Sequence, residues 1–163
     1  NNIFLVAATV QLLLLILLAF KYKSFGYIPV CNFIFTVILS LVLVKGLPVL
    51  LNYYSLAAYG IFILLLNAMT LFIFLKVNKN LQKDSPFNLS FHKVVSEFKT
   101  YIKKFGLIIL AVFFASLLFM PENMIGFVKV IIIGLTLIII SVFFVLPTLA
   151  EIKGAFALKE KKK

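Results

Sequence analysis

Long apolar runs separated by short polar segments are the feature of this sequence that most restricts its fold. A helix that crosses a bilayer needs about 20 mostly apolar residues, because each residue rises about 1.5 Å and the hydrocarbon core is about 30 Å thick. Hydrophobic residues make up 64% of the 163 positions and charged residues 13%, whereas about a quarter of a typical soluble domain is charged. The chain is therefore predicted to be an integral membrane protein.

Five of these runs are predicted to cross the membrane as helices, giving an all-α polytopic bundle in a single transmembrane domain. The predicted spans are residues 3–20, 27–44, 55–75, 106–120 and 127–150. The fourth reaches spanning length only if the residues just before it supply its first turn or if the bilayer thins locally. The connection between the second and third spans is predicted to lie at the outer surface, with a short re-entrant turn as the alternative.

The lysines predict how the spans are oriented. Cytoplasmic loops of membrane proteins collect Lys and Arg, and with five spans 14 of the 16 lysines fall on one side. Only Lys45 and Lys129 fall on the other. The N-terminus is therefore predicted outside and the C-terminus inside. A bacterial cytoplasmic membrane is the preferred setting, with an organellar or endoplasmic reticulum membrane as the alternative. The basic tail, residues 151–163, is predicted to leave the helix near Gly154 and to anchor on anionic lipid.

Residues 86–105 form the one long polar stretch between apolar runs, and their pattern predicts an amphipathic helix. Ser85 can cap this helix and Pro86 suits its first position. Its apolar residues recur at helical spacing along one face, and its lysines lie opposite. The apolar face contains Phe87, Phe91, Val94, Val95, Phe98, Tyr101, Ile102 and Phe105, and the basic residues are Lys93, Lys99, Lys103 and Lys104.

Three roles fit this amphipathic segment. In the first, it lies along the cytoplasmic surface and turns at Gly106 into the fourth span. Phe87, Phe91 and Phe98 would then enter the acyl boundary while the four lysines face an anionic leaflet. In the second role, the segment packs against neighbouring spans and completes the bundle. In the third, it docks a cytoplasmic partner as a helix in a groove.

Neutral polar residues inside the predicted spans are the candidates for contacts within the membrane. Gln11 and Asn67 lie near the middle of their helices, and Asn32 and Thr70 are the other two candidates. An amide in hydrocarbon needs a hydrogen-bond partner, and interhelical bonds of this kind contribute about 0.6 to 2 kcal/mol each. These four residues are predicted either to join helices or to line a path for a solute.

The residues that support catalysis are scarce. Cys31 is the only cysteine, His92 is the only histidine, and arginine is absent. A thiolate cluster, a bis-histidine site and an arginine clamp on phosphate are therefore excluded. The five acidic residues form no close pair in the sequence, and no nucleotide-binding motif is present. The chain is predicted to be no enzyme, to hold no cofactor or metal and to bind no nucleic acid.

Two classes of function remain. In the first, the protein is a small subunit or scaffold of a membrane complex, which contacts other membrane chains or a second copy of itself. In the alternative, it is a transporter or channel component for a neutral or lipidic solute, whose path is lined by the intramembrane amides. A cavity walled by those amides would favour transport, and a well-filled bundle with an exposed seam would favour the scaffold.

Overall fold

A computed structural model describes residues 2–21, 27–49, 52–81 and 87–160, and every regular element in these ranges is helical. Two short π-helical segments, Ile102–Gly106 and Ser141–Val145, interrupt the α-helices. The α-helices are α1 (Asn2–Lys21), α2 (Tyr27–Gly46), α3 (Tyr53–Leu81), α4 (Phe87–Tyr101), α5 (Leu107–Ser116), α6 (Glu122–Ile140) and α7 (Leu146–Glu160). The prediction of an all-α chain is thus confirmed for the described residues.

Three helices are long and apolar enough to cross a membrane. They are Tyr27–Gly46, Tyr53–Asn80 and the continuous helix Glu122–Lys153, and they contain the second, third and fifth predicted spans. The first predicted span lies within α1. The fourth corresponds to α5, which has 10 residues and is followed by a turn at residues 117–119. The total of five spans remains a prediction.

Helix α4 continues without a break through the first π-helical segment into α5. Gly106 has φ −63° and ψ −41°, which are ordinary helical values, so the predicted turn at this glycine is wrong. A π-helical turn inserts an extra residue into a helix without ending it. The polar α4 and the apolar α5 are therefore two parts of one helix. The predicted cap at Ser85 and Pro86 lies outside the described residues.

Helices α6 and α7 form a second continuous helix through the other π-helical segment. Pro147 lies in the first turn of α7, just after that segment. In a regular α-helix its ring would clash with the carbonyl of Phe143, four residues earlier, and the wider π-helical turn relieves this clash locally. The helix also runs through Gly154 to Glu160, so the predicted end of the helix near Gly154 is wrong.

Among the described helices, α3 and α6 pack most closely. A Cβ atom added at Gly134 would lie 2.6 Å from Cδ2 and 3.0 Å from Cβ of Phe62. The absence of a side chain at Gly134 is therefore what allows the two helices to approach. Around this contact, Ala58, Phe62 and Leu66 of α3 pack with α6 in one buried cluster. The residues that α6 contributes to it are Val130, Ile131, Ile133 and Leu137.

The two ends of the bundle differ in charge. One end is formed by the C-terminus of α3 together with α4 and α7, and it is here called the lysine-rich end. Its described lysines include Lys21, Lys76, Lys99 and Lys153. At the opposite end, Asn52 caps α3, because its Oδ1 accepts a hydrogen bond from the backbone N–H of Ser55 at 3.0 Å.

The connection between α2 and α3 is tied to the start of α6 at this opposite end. The Nδ2 of Asn52 donates to the carbonyl of Asn123 at 2.7 Å, and the Nζ of Lys129 donates to the carbonyl of Pro48 at 3.1 Å. Both bonds are exposed. They hold the described part of the connection across the end of the bundle, with residues 50 and 51 outside the described ranges.

Candidate functional site

The first half of α4 packs inside the bundle. Phe91, Val94 and Val95 are buried, and they form a cluster with Phe74 of α3 and Ala150 of α7. The rings of Phe74 and Phe91 meet edge to face with centroids 6.2 Å apart. Phe91 therefore contacts other helices and not lipid, so the prediction that it enters the acyl boundary is wrong. The alternative in which the segment completes the bundle fits these contacts.

Phe87 and Phe98 lie at the margins of this cluster. The Phe87 ring packs against Phe91 with centroids 5.6 Å apart, and Phe98 meets Phe72 edge to face at 5.7 Å. Both residues are half-buried. Further along the helix the apolar stripe turns outward, since Tyr101 and Phe105 are 61% and 59% exposed. The N-terminal half of the stripe therefore faces protein, and in the C-terminal half Tyr101 and Phe105 face the surroundings.

Charged side chains at the edges of α4 connect it to the neighbouring helices. Glu97 forms an ion pair with Lys76 of α3, and the Nζ of Lys153 in α7 lies 3.8 Å from the centroid of the Phe87 ring. The Nζ of Lys99 lies 5.5 Å from the centroid of the Phe143 ring. These contacts join α4 to both α3 and the α6–α7 helix.

Of the four lysines predicted to face the membrane surface, three point away from the bundle. Lys93, Lys103 and Lys104 are exposed, and Lys99 is half-buried beside Phe143. The exposed lysines remain available to an anionic surface, which stays a prediction.

Asn32 and Ser141 form a buried polar contact between α2 and the second π-helical segment. The Oγ of Ser141 donates to the Oδ1 of Asn32 at 2.7 Å, and both residues are buried. The Nδ2 of Asn32 has no hydrogen-bond partner among the described residues. One turn further, Thr36 Oγ1 donates to the backbone carbonyl of Asn32 at 2.7 Å. Asn32 therefore joins two helices, as in the first of its two predicted roles.

A second buried contact joins α2 to α3. The Oγ of Ser40 and the hydroxyl of Tyr59 lie 2.7 Å apart, and both side chains are buried. Asn32, Thr36 and Ser40 thus form a polar row at four-residue spacing on the inner face of α2. Sequence reasoning did not predict the pairs Ser40–Tyr59 and Asn32–Ser141, because the partners are 19 and 109 residues apart along the chain.

The other three candidates come together around a cavity. This cavity has a volume of about 500 Å³, lies between α1, α2 and α3, and is lined by Gln11, Asn67 and Thr70 together with apolar side chains. Its apolar lining comprises Val10, Leu14, Leu15, Pro29, Leu64, Ala68, Leu71 and Phe74. The volume lies within the range of about 300 to 1,000 Å³ that is usual for small-molecule sites. No ionisable side chain belongs to this described lining.

The polar groups of this cavity are only partly used by the chain itself. Asn67 Nδ2 donates to the carbonyl of Ile63 at 2.8 Å, and Thr70 Oγ1 donates to the carbonyl of Leu66 at 2.7 Å. Within the described residues the Gln11 amide forms no hydrogen bond, and the Oδ1 of Asn67 accepts none. The cavity therefore offers both a donor and acceptors to an occupant.

A second groove, of about 420 Å³, lies between α2 and the α6–α7 helix at the lysine-rich end. Its described lining is Cys31, Phe35, Phe144, Val145, Thr148 and Leu149. The Thr148 hydroxyl donates to the carbonyl of Phe144 at 2.7 Å. This groove contains no amide side chain, which distinguishes it chemically from the cavity beside α1.

Metal ligands do not cluster in the described parts of the chain, where no three His, Cys, Asp or Glu side chains come together. Comparison with known proteins gives no matching family model, no significantly similar curated protein and no significantly similar solved structure. The geometry of the chain itself is therefore the basis for assigning a function.

Proposed function

We propose that this chain is a membrane protein that binds a neutral lipidic solute in the cavity between α1, α2 and α3, as a transporter or channel component. The observation that supports the proposal is that Gln11, Asn67 and Thr70, chosen from the sequence as polar residues of predicted spans, line one cavity. They come from two different helices. Residues that served only to join helices would be expected to bond to each other, as Asn32 and Ser141 do.

The lining of the cavity indicates the chemistry of the solute. Most of its residues are Leu, Val, Ala, Pro and Phe, which favours a hydrocarbon body. A charged solute would need a compensating charge to leave water, because burying an unpaired charge in an apolar site is very costly. None of the described lining residues supplies one. A neutral, mostly apolar molecule is the occupant that meets both conditions.

The proposed setting is a bacterial cytoplasmic membrane, with the lysine-rich end at the cytoplasmic surface. The segregation of Lys45 and Lys129 from the other described lysines supports this orientation through the positive-inside rule. A cysteine placed at Glu122 in a Cys31→Ser background should react with an impermeant maleimide from the outside of intact cells. Reaction from the cytoplasmic side alone would contradict the orientation.

The subunit or scaffold function is the second candidate, and the packing of α1 favours it. Among the described elements α1 packs only on α2, and Leu12, Leu17 and Phe20 are 53%, 65% and 75% exposed. A helix of another membrane chain or of a second copy could cover this surface. In this second candidate, the cavity is filled by a side chain of that partner and not by a solute.

Photolabelling with a matched pair of variants tests the proposal. The protein in lipid nanodiscs is exposed to a long-chain probe with a diazirine in its chain, and the labelled positions are mapped by peptide mass spectrometry. We expect labelling at Leu64, Ala68 and Leu71, and a reduction of about tenfold in Ala68→Phe, because the added ring fills the cavity. Ala57→Phe is the matched control, since Ala57 is exposed on the same helix outside the cavity.

Two results would contradict the proposal. Labelling spread evenly over the exposed helix surfaces and unchanged in Ala68→Phe would show that the probe reports only surrounding lipid. Native mass spectrometry of gently extracted protein would provide the second contradicting result. If it retains a stoichiometric partner chain, and if that partner crosslinks to Leu14 and Leu64 in place of the probe, the chain is a subunit and the cavity is part of its interface.

A further inference from the structure

We infer that the solute carries a neutral hydroxyl group, held about halfway across the bilayer between the side chains of Gln11 and Asn67. This inference rests on the proposed function, because it concerns the same cavity, and it specifies the class of solute as a long-chain alcohol. It is carried by the hydrogen-bonding groups that the chain leaves unused in an apolar site.

The first step is the inventory of those groups. Neither the donors nor the carbonyl oxygen of the Gln11 amide is engaged within the described part of the chain. Asn67 uses one N–H for the carbonyl of Ile63, and its Oδ1 remains open. An amide in hydrocarbon without a partner costs several kcal/mol. A ligand that satisfies these groups therefore gains affinity relative to a pure hydrocarbon.

The second step is the depth of the two amides. Gln11 lies ten residues before Lys21 at the end of α1, and Asn67 lies nine residues before Lys76 in α3. At about 1.5 Å per residue both amides are about 14 to 15 Å from the lysines at that end, roughly half of a 30 Å hydrocarbon core. The polar head of a phospholipid lies at the surface of the bilayer and does not reach this depth.

The third step is the match between the amides and a hydroxyl group. A hydroxyl oxygen accepts a hydrogen bond from the Gln11 amide, and its own hydrogen can be donated to the Oδ1 of Asn67. A ketone can accept from Gln11 but has no hydrogen to donate. A hydrocarbon does neither. The expected order of affinity at equal chain length is therefore alcohol, then ketone, then hydrocarbon.

Competition against the photoreactive probe tests this order. An alcohol, a methyl ketone and a hydrocarbon of the same chain length are titrated separately into nanodiscs that contain the full chain and a diazirine hydrocarbon probe. In the wild type we expect the alcohol to displace the probe at about 5- to 150-fold lower concentration than the hydrocarbon, because it makes two hydrogen bonds that contribute about 0.5 to 1.5 kcal/mol each.

Single substitutions measure the contribution of each amide separately. Asn67→Leu should lower the affinity for the alcohol to that for the ketone. Gln11→Leu should lower the affinity for the ketone to that for the hydrocarbon, while the alcohol keeps its bond to Asn67. The hydrocarbon probe itself should bind all variants, which shows that they are folded. Asn78→Leu is the matched control, because Asn78 lies on α3 but not in the cavity lining, and it should leave the order unchanged.

The possible results distinguish this inference from the proposed function. Equal competition by alcohol and hydrocarbon in the wild type, with labelling still confined to the cavity, would overturn the inference and leave the proposed function standing. An advantage of the alcohol over the ketone that persists in Asn67→Leu, or of the ketone over the hydrocarbon that persists in Gln11→Leu, would also overturn it. Absence of cavity labelling in the wild type would overturn both.

Discussion

The two faces of α3 differ sharply in how closely they are packed. On the face towards α6, Phe62 approaches Gly134 so closely that no Cβ atom fits between them. On the face towards α1, Leu64, Asn67 and Leu71 border a cavity of about 500 Å³. These positions lie within about three turns of one helix, so the two faces differ in their neighbours and not in backbone conformation.

This difference shows that the cavity does not result from loose packing of the whole bundle. Protein interiors are close-packed, and voids that could hold more than a few waters are few in a domain. The α3–α6 contact reaches this density with Ala, Leu, Ile and Phe side chains. The α1 side of α3 has the same kinds of apolar residue. It differs from the α6 side by a pair of amides, Gln11 and Asn67, in an otherwise apolar site.

Phe74 connects the two kinds of region. It belongs to the lining of the cavity, and its ring also packs edge to face against the buried Phe91 of α4. The polar face of α4 carries exposed Lys93 at the lysine-rich end. An occupant of the cavity would therefore touch a side chain that supports the position of α4. The cavity and the buried cluster of α3, α4 and α7 therefore share the Phe74 side chain.

The largest effect is expected from truncating the partner of Phe74. Phe91→Ala should lower the free energy of unfolding by about 3 to 5 kcal/mol, because it removes a fully buried ring and leaves a void between α3, α4 and α7. The measurement is reversible unfolding in mixed micelles, followed by the loss of helical circular dichroism.

Leu89→Ala on the same helix is the control for this change. Leu89 is 66% exposed, so its truncation should alter the free energy of unfolding by about 0.5 kcal/mol or less. Equal losses in the two variants would mean that α4 is not packed by Phe91 and that its apolar stripe serves another surface.

Much of the fold could be predicted from the sequence, since long apolar runs leave few alternatives to helices. The predicted spans 27–44, 55–75 and 127–150 lie in helices long enough to cross a membrane. The predicted turn at Gly106 is wrong, because glycine permits a turn but does not require one, and the π-helical segment keeps the chain helical there. The π-helical segments have no sequence signal of the kind that periodicity provides.

The candidate site was predictable in its residues but not in its arrangement. Amides inside the predicted spans are conspicuous in an apolar sequence, and this identified Gln11, Asn32 and Asn67. Sequence periodicity gives the face of a helix on which a residue lies, but not which neighbouring helix that face meets. Asn32 therefore could not be separated from the other two, although it bonds to Ser141 and does not belong to the cavity lining. The sequence also does not distinguish a Phe91 buried against protein from a Phe91 in contact with lipid.

A smaller effect is expected at the tight contact between α3 and α6, and it tests the comparison most directly. Gly134→Ala should lower the free energy of unfolding by about 1 to 3 kcal/mol, because the new methyl group would lie 2.6 to 3.0 Å from the Cδ2, Cγ and Cβ atoms of Phe62. The Cβ atom of Phe62 is fixed to the backbone, so relief requires the helices to separate. Reversible unfolding in mixed micelles measures the change.

Gly60→Ala is the control, because nothing lies within 4 Å of a Cβ atom at Gly60. Alanine favours a helix by about 0.5 to 1 kcal/mol over glycine, so this variant should be as stable as the wild type or slightly more so. Ala68→Phe, on the cavity face of the same helix, should change the free energy of unfolding by no more than about 0.5 kcal/mol in the absence of solute. A large loss of stability in Ala68→Phe with none in Gly134→Ala would mean that α3 is closely packed towards α1 and open towards α6. The cavity would then not be a preformed site.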